Sequence, residues 1–211
     1  MSTRPSQRPY NVAYYQRNRQ LEIERVRVRQ AGMVDLLRDL RRVPCSDCGG
    51  QFEPYQMDFD HRDPSIKSFN VMTGRAMLMS TRRVLDEVAK CDVVCANCHR
   101  IRTRDAEVAR PRRPPSSSPR QRIKRRRWEE QAAILAQLRD VPCADCRRRF
   151  PTCVMDFDHR DPSRKEHTVS RMIIGTSPQA ILAEAAKCDI VCANCHRVRT
   201  NAALSGSNSV G

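Results

Sequence analysis

Four C-x-x-C pairs, laid out as two matched doublets, limit what this chain can fold into more than any other feature. Cys45 with Cys48 and Cys95 with Cys98 make one set. Cys143 with Cys146 and Cys192 with Cys195 make the other. One C-x-x-C turn lets two sulfurs chelate together, and two such turns close a tetrahedral thiolate shell with no open position, as in structural zinc sites. The spacing predicts two structural Zn²⁺ per chain. The cysteines number 11. An odd count in C-x-x-C pairs favours metal binding in a reducing compartment over disulfides. Cys153 aligns with Tyr55 in the other copy, so it is dispensable as a ligand. Cys91 and Cys188 do match and read as small buried hydrophobes, the alternative being that one substitutes as a zinc ligand.

The doublets belong to an internal repeat. "VPCSDCGGQF" from Val43 returns as "VPCADCRRRF" from Val141, "MDFDHRDPS" occurs at Met57 and at Met155, and "AKCDVVCANCHRIRT" from Ala89 returns as "AKCDIVCANCHRVRT" from Ala186. The segment between, Ser68–Met79 against Glu166–Thr176, is nearly unrelated. Identity falls on Cys, His, Asp and their neighbours, and each copy reads as one structural unit. Leu36, Leu37, Leu40 and Val43, like Ile134, Leu135, Leu138 and Val141, fit one helix face ahead of each copy. "MDFDH" reads as a short strand. A helix is expected from Ser80 or Ser177, with serine as N-cap and Pro178 at the first helical position. Its buried face is expected to be Val84, Leu85, Val88 and Ala89, or Ile181, Leu182, Ala185 and Ala186. A brief strand "DVVC" or "DIVC" and a final helix from "ANCHR" complete each copy.

The net charge is +15, and the only lysines among 39 Lys+Arg are Lys67, Lys90, Lys124, Lys165 and Lys187. A GC-rich genome could explain the choice of Arg over Lys but not the excess of positive charge. That excess points to a polyanionic partner, because guanidinium matches phosphate bidentately. "RPRRPPSSSPRQRIKRRR", Arg110 to Arg127, holds nine basic residues and no acid. Its Pro/Ser half is expected to be extended and mobile. Its "RQRIKRRR" half is expected to become helical on DNA, the alternative being a solvated linker. The organisation read from sequence is a basic helical arm (1–35), a first module (36–106), a basic linker (107–127), a second module (128–201) and a disordered tail (202–211). No run of about 18 apolar residues is present, so no membrane span is expected, and the basic start lacks the apolar core of a secretory signal.

Four cysteines saturate each zinc, which leaves Asp60, His61 and His99 in one copy, and Asp158, His159 and His196 in the other, without a structural task. The bland reading is extra zinc ligands or satisfied polar groups. His167 aligns with Phe69 and has no counterpart. The order C-x-x-C, D-H, C-x-x-C-H resembles the HNH (His-Me finger) endonucleases, most of all their four-cysteine zinc branch, which includes phage recombination endonuclease VII. The resemblance covers Val43–Arg104 and Val141–Thr200. It implies an α+β fold of two tandem zinc-bound ββα-metal modules with basic helical arms. It also implies that His61 and His159 act as general bases and that Asp60, His99, Asp158 and His196 hold a catalytic Mg²⁺ or Mn²⁺. An asparagine that orients the base in many members is replaced here, where Lys90, Cys91 and Asp92 stand. Asn97 and Asn194, inside the knuckles, are candidates for that role or for capping the final helix.

The residue types suit phosphodiester hydrolysis on their own terms. Histidine can take a proton from water at neutral pH, and a hard divalent ion with few protein ligands keeps positions for phosphate oxygens. Lys67 and Lys165 are candidates for a flanking phosphate, with surface lysines as the alternative. Arg100, Arg197, Arg122, Lys124, Arg125, Arg126 and Arg127 are further candidates for nucleic-acid contact. The expected function is a tandem HNH-type, metal-dependent DNA endonuclease, leaving 5′-phosphate ends by family resemblance. It would act on duplex or branched DNA as a monomeric pseudo-dimer, in the cytoplasm of a bacterium or a phage-infected cell. A zinc-dependent nucleic-acid-binding protein without catalysis is the competing class. Few aromatics suited to base stacking argue against a single-stranded RNA substrate.

Overall fold

The computed structural model describes residues 8–73, 78–111, 118–173 and 175–207. Among the described residues, six α-helices and four strands alternate in matching order in the two copies. The first has α1 (Arg8–Asp39), β1 (Met57–His61), α2 (Thr81–Val88), β2 (Cys91–Cys95) and α3 (Ala96–Ala109). The second has α4 (Pro119–Arg139), β3 (Met155–His159), α5 (Pro178–Ala185), β4 (Cys188–Cys192) and α6 (Ala193–Ser207). Each copy makes one two-stranded sheet, β1 with β2 and β3 with β4. The β3–β4 pair is antiparallel, with Met155 opposite Cys192 and His159 opposite Cys188. The architecture is mixed α+β, with short sheets and two four-cysteine groups.

The chain forms two compact units, Met1–Val43 with Phe59–Val93, and Pro44–Asp58 with Val94–Gly211. The dividing line therefore runs through β1 and β2, whereas the sequence repeat divides at the basic linker. In the first unit Met33 and Leu37 of α1 pack with Phe59, Val71, Val84 and Cys91. In the second, Leu135 of α4 packs with Val169, Met172, Ile181, Ala185 and Cys188. A further cluster in that unit joins Val154, Met155 and Val191 to Cys143 and Cys192, with Ile101 of α3 against it.

Local chemistry places the ends of these elements. Ser80 Oγ accepts from the Arg83 N–H at 3.4 Å, and Ser177 Oγ from the Ala180 N–H at 3.3 Å, so both expected N-caps are made. Pro178 opens α5, where its missing N–H costs no helical bond. Val43 and Val141 do not extend the preceding helices; each stands outside and is 39% exposed. A proline follows each of them, and the residue before proline is pushed out of the helical region.

Several boundaries differ from the sequence reading. The basic arm and the first module's opening helix are one continuous α1. "RQRIKRRR" is helical in the free chain, as the start of α4. Arginine and lysine are good helix formers, and ion pairs Arg125–Glu129 and Arg126–Glu130 lie one turn apart. Helix α6 runs on to Ser207, into the segment expected to be a disordered tail, and 208–211 lie outside the described residues. So do 1–7 of the arm and 112–117, most of the Pro/Ser hinge. Among the described residues no helix is long and apolar enough to cross a membrane.

Candidate functional site

Cys45, Cys48, Cys95 and Cys98 bring their sulfurs within 4.8 Å of one another, and Cys143, Cys146, Cys192 and Cys195 do the same. Each set could hold a metal ion. The first pair of each set sits in a tight turn, closed by Gly49 N–H to Cys45 O at 2.9 Å and by Arg147 N–H to Cys143 O at 3.0 Å. The second pair spans the junction of strand and helix. Backbone N–H groups point at sulfur there: Cys95 N–H donates to Cys45 Sγ and Cys192 N–H to Cys143 Sγ, both at 3.2 Å. Burial raises the Cys45 thiol, but N–H groups of Cys48, Cys95 and Asp47 outweigh it and bring its pKa down to about 7. Cys143 reaches about 7 for the same reason. Burial and the neighbouring sulfurs push Cys98 and Cys195 well up. A bound cation would relieve that repulsion, so the donors suit a thiophilic divalent metal.

The other three cysteines lie outside both sets. Cys91 and Cys188 are buried in the apolar clusters and donate weakly to the carbonyls of Glu87 and Glu184. Burial, then the nearby glutamate, raises both thiols to about 11. They are the small buried hydrophobes expected.

In the second unit β3 sends alternate side chains to opposite faces. Asp156 and Asp158 meet α6. His196 Nδ1 lies 2.9 Å from Asp156 Oδ2, and its Nε2 lies 3.5 Å from Asp158 Oδ1. Asp156 also accepts both Nη atoms of Arg100 at 2.8 Å. Burial raises the Asp156 carboxyl, but His196 and Arg100 together hold it below the usual range. The Asp156 bond in turn raises His196. An ionised Asp156 fixes the proton of neutral His196 on Nδ1 and leaves the Nε2 lone pair facing Asp158. Two donors of a hard divalent ion at right angles stand about 3 Å apart, so Asp158 and His196 could share one. Arg199 holds Asp158 Oδ2 at 3.0 Å and Asp189 at 3.0 Å.

His159 points the other way, with a side chain 7% exposed. Its Nε2 lies 2.9 Å from Glu184 Oε1, which also accepts the N–H groups of Glu166 and His167 at 3.0 Å. Lys187 Nζ lies 2.7 Å from the other oxygen. Burial alone would raise Glu184, but these donors bring its pKa down to about 2. An anionic oxygen accepts, so Nε2 carries the proton and the basic nitrogen of neutral His159 is Nδ1. Glu184, buried on the inner face of α5, was not among the sequence candidates; Leu182 was placed there instead and is 46% exposed. The signal was available, since Glu87 and Glu184 are an acid at the same place in both copies, on the same helix face as Val84 and Ile181.

The first copy makes the same contacts, divided between the units. In one, Glu87 accepts from His61 Nε2 at 2.9 Å, from Ser68 N–H at 2.7 Å and from Lys90 at 2.6 Å, and its pKa falls to about 2 despite burial. In the other, His99 Nδ1 lies 2.9 Å from Asp58 Oδ2. Asp60 precedes His61, the last residue of β1.

The second unit also joins the copies. Asn97 N–H donates to Asn194 Oδ1 at 3.3 Å, and Asn194 N–H to Asn97 Oδ1 at 2.9 Å. Both asparagines are buried, and they cap each other's helix instead of orienting His61 or His159. Arg197 grips Asp58 at 3.0 and 2.8 Å as Arg100 grips Asp156. The sequence placed Arg100 and Arg197 on nucleic acid; here their guanidiniums face carboxylates. Arg122, Lys124, Arg125, Arg126 and Arg127 are exposed along α4, and Lys67 and Lys165 are exposed on their loops. A groove of about 680 Å³ runs beside α4, lined by Arg120, Lys124, Arg127, Trp128, Ile173 and Pro178. No protein family, no curated protein and no solved structure matches this chain.

Proposed function

We propose that this chain is a metal-dependent DNA endonuclease of the HNH type, with two tandem sites and two structural Zn²⁺. The observation that carries the reading is His196, whose Nδ1 lies 2.9 Å from Asp156 and whose Nε2 lies 3.5 Å from Asp158. The arrangement puts an imidazole nitrogen beside a carboxylate oxygen, the donor pair a divalent ion can bridge. Zn²⁺ in the cysteine sets gives each small copy the folding energy its core lacks. Asp158 and His196 hold a catalytic Mg²⁺ or Mn²⁺, and the repeat carries the same residue types at Asp60 and His99. That ion, when bound, neutralises charge on the phosphate and polarises the leaving oxygen. His159 and His61 take a proton from the attacking water at Nδ1. Glu184 and Glu87 fix the ring's orientation, as a carboxylate behind a basic histidine does. Exposed cations on α4 bind the phosphate backbone in a salt-dependent, sequence-tolerant way.

A second reading, a zinc-bound nucleic-acid-binding protein without catalysis, is favoured by one observation: His159 is largely buried and already satisfied by Glu184. Incubation of the purified chain with supercoiled plasmid separates the two. The endonuclease reading expects Mg²⁺- or Mn²⁺-dependent linear product that EDTA abolishes. It expects nicked circles from His61→Ala and from His159→Ala, and binding without cutting from the double variant. Retarded but uncut plasmid under all metals would establish the binding protein.

A further inference from the structure

The dipeptide His-Arg, one turn into each final helix, faces two ways. Successive helical residues point about 100° apart, and the structure uses both directions. His196 turns to Asp156 of its own copy, while the neighbouring Arg197 turns to Asp58 of the other. His99 turns to Asp58, while Arg100 turns to Asp156. Each carboxylate thus accepts a histidine from its own copy and a bidentate arginine from the opposite one. The arginine also reaches a backbone carbonyl just ahead of the strand: Arg100 to Val154 at 3.3 Å, Arg197 to Tyr55 at 3.3 Å. The reciprocal Asn97–Asn194 bonds fix the helix starts from which both arginines depart.

A planar guanidinium clamps both oxygens of a carboxylate, so it sets the carboxylate's rotation as well as its charge. That rotation decides where the histidine N–H must point, and so where Nε2 is aimed. Partners of this kind commonly govern metal affinity by one to two orders of magnitude. We propose that Arg100 and Arg197 are crossed positioning residues, each orienting the metal-binding histidine of the copy to which it does not belong. This rests on the metal-site reading of His99 and His196.

The test uses the full-length, zinc-loaded chain and measures Mn²⁺ affinity from the spin-resonance signal of free Mn²⁺. His99→Ala leaves the second copy's site, and His196→Ala leaves the first's. With only the second site remaining, Arg100→Ala is expected to weaken Mn²⁺ binding about 10- to 100-fold, and at least tenfold more than Arg197→Ala does. With only the first remaining, the order reverses. Plasmid nicking by the same variants should follow the same crossed order. Arg100→Gln and Arg197→Gln, which keep one donor and most of the volume, serve if an alanine variant loses zinc. An arginine that weakens its own copy's site, or both sites alike, overturns the crossing and leaves the metal reading intact. Single-histidine variants that bind no Mn²⁺ before any arginine is changed overturn the metal reading, and the crossing with it.

Discussion

In the first copy the turn after Cys48 is made by Gly49, at φ 67°; in the second the same turn is made by Arg147, at φ 61°. Glycine enters that left-handed region without strain, whereas an L side chain is disfavoured there. Around the carboxylates the two copies agree. His61–Glu87 and His159–Glu184 both measure 2.9 Å, as do His99–Asp58 and His196–Asp156. The loops show a third case. Ser68 and Phe69 differ in residue type from Glu166 and His167, yet both pairs give their N–H groups to the buried glutamate. At the histidines and their buried carboxylates, where side-chain atoms make the contact, residue type is held. Where only backbone makes it, residue type is free to differ, even at a cost in strain.

The largest test of that contrast removes a sulfur. Cys95→Ser and Cys192→Ser should each abolish one metal and, with folding energy on the order of 10 kcal/mol at stake, unfold the part that depends on it. Cys153→Ser should stay within about 0.5 kcal/mol of the parent. Zinc content and thermal melting of the three variants decide this, and a soft Cys192→Ser variant would break the equivalence of the two sets. Next come Glu87→Gln and Glu184→Gln, which keep the shape and lose the charge. Each should cost about 2–3 kcal/mol of stability and, if the proposed endonuclease reading holds, slow plasmid cleavage by its own copy about 10²-fold. Both glutamates have folded pKa values depressed to about 2 from an ordinary 4.5. Their stabilisation is therefore full above about pH 4.5 and is lost as pH falls toward 2. Denaturant unfolding across that range should show a flatter acid slope in each Gln variant than in the parent. The smallest effect is at the turn. Arg147→Gly should raise stability by about 0.5 kcal/mol, the relief of strain being partly offset by the freer unfolded chain. Gly49→Arg should lower it by a similar amount. Matched melting curves that move the same way would refute the strain argument.

Much of this is legible in the sequence. The cysteine sets, the strands "MDFDH", "DVVC" and "DIVC", the serine caps and the final helices follow from local patterns, and each is where its pattern puts it. Glu87 and Glu184 were missed because a helix face was read from apolar residues alone, and a buried carboxylate looks like a surface one until its donors are seen. Those donors come from a loop whose sequence carries no signal, since it contributes backbone N–H groups. Asp58 and Asp156 stood in plain view within the repeated phrase, two residues before the acids that drew attention. Their importance depends on arginines more than fifty residues away, a distance no local spacing rule spans. Arg100 and Arg197 were read as phosphate ligands because charge alone does not reveal which anion it will meet.

Asp156 takes a proton-bearing nitrogen from His196 and two from Arg100 on a single carboxylate. One altered codon there would strike both copies at once, stripping a histidine in one and orphaning a cation from the other. Duplicated segments usually leave one spare that can drift without penalty. Here neither has that licence, because each keeps part of its machinery on loan from its twin. The pair can be inherited, or lost, only together.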